Sequence, residues 1–335
     1  MKHLKWSYSK ARMTKNNIKI LPPEEARRIA AGEVIDRPAS LVREFLDNAI
    51  DAGSTVIDVS IENGGIKSIE VADNGCGMDR NDIEICWHTH ATSKISSLED
   101  LNSSVTLGFR GEALSAAAAV SRLEITSSTD GSNAWKLEAG PGESTAAKIT
   151  EVNRTKGTSA MALDLYDTIP ARKKFLKREG SEAAACRQVF IEKALAFPEI
   201  TFRFYNDGRP KDIFTGVISK KDRFAAVLLN AGEKDYLHEI NMAGGGFSVN
   251  VIIGGPEIFR ADRRMLYVFA NGRRIQDYSM IQAMEYGVQG LFPNGTHPAG
   301  AVFIDIDPAL ADFNIHPSKR EARFKNPSEI HHAIS

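Results

Sequence analysis

Glu44 and Asn48 stand one helical turn apart in the stretch REFLDNAIDAG, residues 43–53. Side chains at i and i+4 share a helix face, and these two types suit phosphate chemistry. A carboxylate can polarise a water for attack on a phosphoryl group. A carboxamide oxygen can join the shell of Mg2+, a hard cation that takes few protein ligands. The plainer reading is a solvated acidic flank, because Val42, Phe45, Leu46, Ala49 and Ile50 form an ordinary buried stripe on the same helix. Asp47 and Asp51 beside it read as structural or supporting groups.

Two further clusters carry chemistry. Asp73, in SIEVADNG, falls in phase with Ile69 and Val71 and continues the inward face of a strand. An inward carboxylate must find donors, either loop amides or the exocyclic amine of a bound base. Gly75 and Gly77 after it would let backbone approach a flat ring. In GFRGEAL, Gly108 and Gly111 flank Arg110 just before a helix. Helix N-termini present free N–H groups that suit phosphate, although glycine turns before helices are common. No GK[ST] occurs in the chain, so a Walker A loop is excluded.

These groups need elements to hold them. A first helix follows LPPEEARRIAAGEVID, with prolines at its entry and acids in its first turn. DRPAS restarts a helix that Gly53 ends. VIDVSI and IKSIEVAD alternate as strands, joined by ENGG as a hairpin turn. Residues 79–107 show no sustained period. LGFRGEALSAAAAV runs from a glycine turn into a helix. RLEITSST, AWKLEA and TSAMALDLY read as strands, SEAAACRQVFIEKALAF as a long helix and ITFRFYNDG as a strand. The pattern restarts near residues 215–222 with a helix in RFAAVLL, strands in FSVNVIIG and RMLYVFANGR, a helix in YSMIQAMEYGV and a strand in AVFIDID. Helices mixed with hairpin-linked strands predict α+β two-layer domains rather than a doubly wound parallel sheet. The expected division is a disordered extension at 1–17, a first domain at 18–216 and a second at 217–335.

The chain has 335 residues, 42% hydrophobic and 25% charged, with room for two globular domains. No apolar run is long enough to span a membrane as a helix. With a net charge of −1, a nucleic-acid surface must be a local patch. Three scattered cysteines make no disulfide framework or paired metal motif, which fits a reducing cytosol. His88 and His90 lack further ligands at zinc spacing. Residues 1–17 hold five Lys/Arg and no acid, and read as an extension rather than a secretory signal.

The order of motifs is more specific than any one of them. AAGEVIDRPASLVREFLDNAIDAG, DNGCGM, HATSKI, LGFRGEALSA, PARKKFL and NIHPSKREARF resemble the hallmark segments of MutL-type DNA mismatch repair proteins. These belong to the ATPase superfamily of DNA gyrase, a heat-shock chaperone and histidine kinases. The resemblance runs from about Ile20 to the end of the chain. It implies a Bergerat-type nucleotide fold, followed by a smaller α+β domain like the second domain of ribosomal protein S5.

It also implies roles. Glu44 is similar to the family's general base and Asn48 to its Mg2+ ligand. Asp73 matches the adenine-reading aspartate, with Gly77 and Thr158 beside it. Thr92, Ser93 and Lys94 lie in the segment similar to the nucleotide lid. Gly108, Arg110 and Gly111 match the phosphate loop, and Lys319 the second-domain lysine that reaches the γ-phosphate. The expected ligands are ATP and Mg2+. The expected partners are DNA, a MutS-type mismatch-recognition protein with other repair factors, and a second copy in an ATP-dependent homodimer. A membrane is not expected, and the expected place is the cytoplasm, at the nucleoid. Where the family reads FYNTPAR, this chain has YDTIPAR at residues 166–172. The family also carries a C-terminal dimerisation domain, sometimes an endonuclease. No nuclease chemistry is expected from these residues.

Arg172, Lys173, Lys174, Lys177 and Arg178 form one basic cluster, read first as a solvated face. Arg273 and Arg274 follow a strand of the second domain, and the resemblance to DNA-contacting domains assigns them to DNA phosphates. Two other readings compete. One is a topoisomerase-like ATPase subunit, which NIHPSK argues against. The other is a nucleotide-binding scaffold without turnover, which Glu44 argues against.

Overall fold

The computed structural model describes residues 19–94, 106–108, 111–141, 147–313 and 321–335. Among them, nine helices and two large sheets make an α+β fold. The first sheet is built from β1 (Val56–Glu62), β2 (Ser68–Asp73), β3 (Arg122–Ser128), β4 (Ala134–Ala139), β5 (Lys148–Val152), β6 (Gly157–Leu163), β7 (Thr201–Asn206) and β8 (Arg209–Phe214). Its order is β5-β4-β3-β6-β2-β1-β7-β8, antiparallel throughout except between β1 and β7.

Alternation sets its two faces. Ile57, Val59 and Ile61 of β1 and Ile69 and Val71 of β2 are buried. They share a core with α1 (Pro23–Val34), α2 (Pro38–Asp51), α4 (Ala113–Val120) and α6 (Glu179–Ala196). Between α2 and α4 lies α3 (Arg80–Ile85). The opposite face is polar and carries pairs such as Arg203 with Asp58 and Lys136 with Glu124 and Glu138. That is the two-layer arrangement the sequence pattern predicts.

After α5 (Pro170–Lys173), α6 and the β7–β8 hairpin, α7 (Lys220–Leu228) leads into the second sheet. This comprises β9 (Leu237–Gly244), β10 (Phe247–Gly254), β12 (Leu266–Ala270), β13 (Arg273–Arg274) and β15 (Gly300–Ile306), in the order β13-β12-β15-β10-β9. Two-residue ladders pair β11 (Phe259–Arg260) with β14 (His297–Pro298), and β16 (Ala311–Asp312) with β17 (Arg323–Phe324).

Every residue of β12 is buried, because both faces of this sheet are covered. Tyr267 and Phe269, with Ile252, Ala301 and Phe303, join the first domain's core. Leu266, Val268, Val251 and Ile304 pack instead with Met280 and Met284 of α8 (Tyr278–Gly287) and Ile330 of α9 (Pro327–Ile334). The second domain therefore sits against the first through an aromatic sheet face.

Some local readings needed the structure. The stretch at 79–107 contains α3, started by the Asp79 carboxylate, which accepts from Asp82 N. Six residues are too few to show a period. Strands β5, β8 and β9 carry too little apolar alternation to be read; β9 is an exposed edge after its first residue. TSAMALDLY stops as a strand at Leu163, because Asp164 and Tyr166 adopt φ of 54° and 62°. That bend buries Tyr166, whose hydroxyl donates to the Ile35 carbonyl.

Candidate functional site

Helix α2 buries Leu41, Val42, Phe45, Leu46 and Ala49, which turns Glu44, Asn48 and Asp51 to its edge. Gly53, at φ 72°, ends the helix there. Three groups distant in sequence meet this edge. Lys94 Nζ donates to Asn48 Oδ1 at 3.0 Å and to Asp51 Oδ2 at 2.6 Å. Leu107 N and Gly108 N donate to the two oxygens of Asp51 at 3.0 and 3.1 Å. A Cβ on Gly108 would stand 3.4 Å from Lys94 Nζ and 3.6 Å from Asn48 Oδ1, so backbone runs close beside both. On the inner side of the helix, buried Asp47 pairs with buried Lys193 of α6 at 2.5 Å. Asp47 and Asp51 thus tie this edge to α6, to Lys94 and to the 107–108 backbone.

Asp73 closes β2 beside the C-terminal end of α2. Its Oδ1 accepts from Gly75 N at 2.7 Å, Ser54 Oγ at 3.1 Å and Thr158 N at 3.4 Å. Among the described residues no hydrogen bond occupies Oδ2. Burial pushes the Asp73 carboxyl above the ordinary aspartate range, opposed by those three donors and by Arg154. Arg154 Nη2 donates to the Asp73 carbonyl at 3.2 Å.

Glycine is required around this carboxylate. A Cβ on Gly77 (φ 73°) would lie 2.0 Å from the Ser128 carbonyl oxygen, and one on Gly157 (φ 119°) 2.0 Å from that of Asp73. Thr158 Oγ1 pairs with Ser127 Oγ at 2.8 Å, and Ser127 Oγ accepts from Met78 N. The structure thus brings Asp73, Gly77 and Thr158 into one cluster and Asn48, Lys94 and Gly108 into another, at the same end of α2. Thr92 Oγ1 accepts from Lys94 N at 3.2 Å, while Ser93 is exposed. Gly111, at φ 60°, accepts from His90 N and so meets the root of the 92–94 segment. Arg110, Lys319 and the extension at 1–17 lie outside the described residues.

Arg273 and Arg274 are not placed as a DNA-phosphate pair would be, and that expectation is corrected. Arg273 is only 8% exposed. Its side chain crosses to the first domain, where Nη2 donates to the Thr106 carbonyl at 2.7 Å. Burial pulls its guanidinium below the usual arginine value, against the opposing field of Asp47, Asp51 and Glu44. Arg274 lies over Tyr267 and donates to the carbonyls of Leu266, Val268 and Ile275. Both guanidiniums are turned into the molecule, Arg273 through Nη2 and Arg274 through three carbonyls. Lys174, Lys177 and Arg178 of the other cluster are exposed, whereas Arg172 donates to the Gly32 carbonyl and Lys173 pairs with Asp167.

Sequence reasoning missed Ser54, Arg154, Lys193 and the inward turn of Arg273. Each acts through a tertiary contact that no local pattern announces.

Two family descriptions match the chain. Residues 37–155 match "Histidine kinase-, DNA gyrase B-, and HSP90-like ATPase", and residues 225–335 match "DNA mismatch repair protein, C-terminal domain". The DNA mismatch repair protein MutL of Treponema pallidum (strain Nichols) is 41% identical over 326 residues, covering 94% of this chain and 53% of that protein. MutL of Geobacter sp. (strain M21) is 38% identical over 318 residues, covering 95% and 48%. The chain thus spans about half the length of the curated relatives it matches. Among solved structures, the N-terminal domain of a DNA repair protein superposes with a TM-score of 0.75 at 24% identity, covering 92% of this chain and 95% of that one. The Aquifex aeolicus MutL ATPase domain complexed with ADP gives 0.60 at 22% identity, covering 82% and 94%. At such identities these two likenesses speak to the fold.

Proposed function

We propose that the chain, a member of the MutL-type family of DNA mismatch repair proteins, binds and hydrolyses ATP as a switch in mismatch repair. The observation that carries this reading is the meeting of Asn48, Asp51, Lys94 and Gly108 beside the Asp73 cluster.

In this reading Asp73 Oδ2 accepts the adenine amino group. Oδ1, already holding three donors, fixes the carboxylate's direction. Gly77 and Thr158 border the base. Gly108, Arg110 and Gly111 border the phosphates, with Thr92, Ser93 and Lys94 over them. Glu44 orients the attacking water and takes its proton as the oxygen–phosphorus bond forms; the γ-phosphate–ADP bond breaks. Lys319 reaches the γ-phosphate from the second domain, so it distinguishes ATP from ADP.

Mg2+ fits the donor set, since the Asn48 and Asp51 oxygens already accept a cationic ammonium. Asn48 would hold it, and bound there it would neutralise phosphate charge. Contact with the γ-phosphate would favour closure of the lid, joining of the domains and dimerisation, by the differential contact it supplies. Mismatch recognition would come from a MutS-type partner. DNA would be met through phosphates at Lys174, Lys177 and Arg178 rather than at the paired arginines. The proposed place of action is the nucleoid.

Steady-state ATP hydrolysis tests the reading. Glu44→Ala should lose about 10²–10⁴ in turnover while still binding ATP. Turnover near the wild-type rate would remove Glu44 as the base.

A further inference from the structure

The geometry points to Arg273 as a positioning residue for ATP hydrolysis: from the second domain it fixes the entrance of the phosphate loop against the acidic edge of α2. This rests on the ATPase reading above and adds to it a residue that touches neither base nor reacting phosphate.

The hairpin that carries Arg273 is pressed into the first domain. Its turn uses Asn271 and Gly272 at φ 46° and 73°, the combination of a tight type I′ connection. A Cβ on Gly272 would stand 2.5 Å from Phe197 Cζ, just beyond the end of α6. From this seat the Arg273 guanidinium makes three kinds of contact. Nη2 donates to the Thr106 carbonyl, immediately before the Leu107 and Gly108 amides that rest on Asp51. Its Cζ lies over the Phe313 ring, 5.2 Å from the centroid, shortly before Lys319 in the sequence. Its charge stands in the field of Asp47, Asp51 and Glu44.

A buried cation with so little water needs a reason to be there. Among the described residues Nη1 is buried without a hydrogen-bond partner, a cost that the contacts made at this seam must offset. The same seam could be sealed by an apolar side chain on Phe313 and Phe197. What a guanidinium supplies is a donor to Thr106 O and a delocalised cation over the Phe313 ring at once, with charge toward the acids. A shift of the second domain therefore moves Thr106, and with it Leu107 and Gly108. The seam thus sets the placement of the loop backbone rather than the adenine contacts at Asp73.

Arg273→Lys keeps the charge and loses the fork and the plane. In DNA-free assays, its kcat for ATP should fall about tenfold to a hundredfold, the cost of a small misplacement near a reacting group, while ADP affinity stays at the wild-type value. Amide hydrogen exchange at residues 106–108 should quicken, and exchange in β2 should not. Arg273→Gln should lose at least as much turnover. If that variant fails to fold, the lysine variant alone decides.

Wild-type kcat in Arg273→Lys would overturn the proposal. So would a parallel fall of kcat, ADP affinity and folded fraction, which marks a merely structural residue. Failure of the ATPase reading itself looks different: the wild-type protein would then not hydrolyse ATP, or Glu44→Ala would do so normally.

Discussion

The Asp73 cluster and the Asp51 cluster lie at the same end of α2, yet they are assembled from different distances. Asp73 takes its donors from Gly75 two residues on, from Ser54 at the end of α2 and from Thr158 on β6, in the sheet it belongs to. Its glycines leave almost no freedom around it. Asp51 gathers Lys94 and the 107–108 backbone, and Arg273 reaches the neighbouring Thr106 from 167 residues away. One cluster is rigid because it is part of a sheet. The other exists only when several separate segments are brought together. Recognition of a constant group, the base, suits the first. Sensing a group that is consumed, the γ-phosphate, suits the second.

The largest effect is expected where the second cluster is anchored. Lys193→Met leaves Asp47 buried at 3% exposure opposite an apolar side chain. Breaking a buried pair from one side costs about 3–5 kcal/mol when the charge left behind is uncompensated; with Arg273 near Asp47 the loss should lie at the lower end, and denaturant unfolding reads it. A loss under ~1 kcal/mol would mean that water reaches Asp47, and the contrast between a held and a loose cluster would weaken.

A smaller effect sharpens the Asp73 side. GTP presents a carbonyl oxygen where ATP has an amine, so two acceptors would face each other. That should cost about 1–3 kcal/mol of affinity; equal affinities in competition binding would remove Asp73 as the reader of the base. The carboxyl is held above the ordinary aspartate range by burial. ATP affinity should therefore begin to fall, on acidification, at a higher pH than an ordinary aspartate would give. The sign for stability is opposite. The folded chain holds this proton where the unfolded chain has released it, so Asp73 costs stability at neutral pH and the cost is relieved as pH falls through its folded value. Asp73→Asn should then keep or slightly raise the melting temperature while weakening ATP.

The smallest effect concerns a surface belonging to neither cluster. Reversing the charges of Lys174, Lys177 and Arg178 should weaken DNA binding and flatten its salt dependence, without changing DNA-free hydrolysis. Unchanged binding at low salt would place the DNA elsewhere.

How much of this was legible follows the same division. The α2 edge could be read because the period of Val42, Phe45, Leu46 and Ala49 fixes which way Glu44 and Asn48 face. Asp73 could be read because strand alternation placed it inward. The two-layer α+β architecture followed from hairpin-linked strands among helices. Arg273 could not be read. A sequence ANGRR says that a hairpin carries two cations, but not that Gly272 meets Phe197 and drives one of them into another domain. The pairing of Asp47 with Lys193 was hidden in the same way. Each lies on an amphipathic helix, and nothing local says that their buried faces meet.

The claim that the two clusters divide binding from turnover is tested most directly by one matrix. It comprises kcat for ATP and the affinities for ATP and ADP, measured on the wild type, Glu44→Ala and Asp73→Ala. The account predicts that Glu44→Ala loses turnover at unchanged affinity, and that Asp73→Ala loses ATP and ADP affinity together while saturating ATP restores much of its kcat. If both variants lose turnover and affinity in the same proportion, the pocket acts as a single unit and the division is wrong.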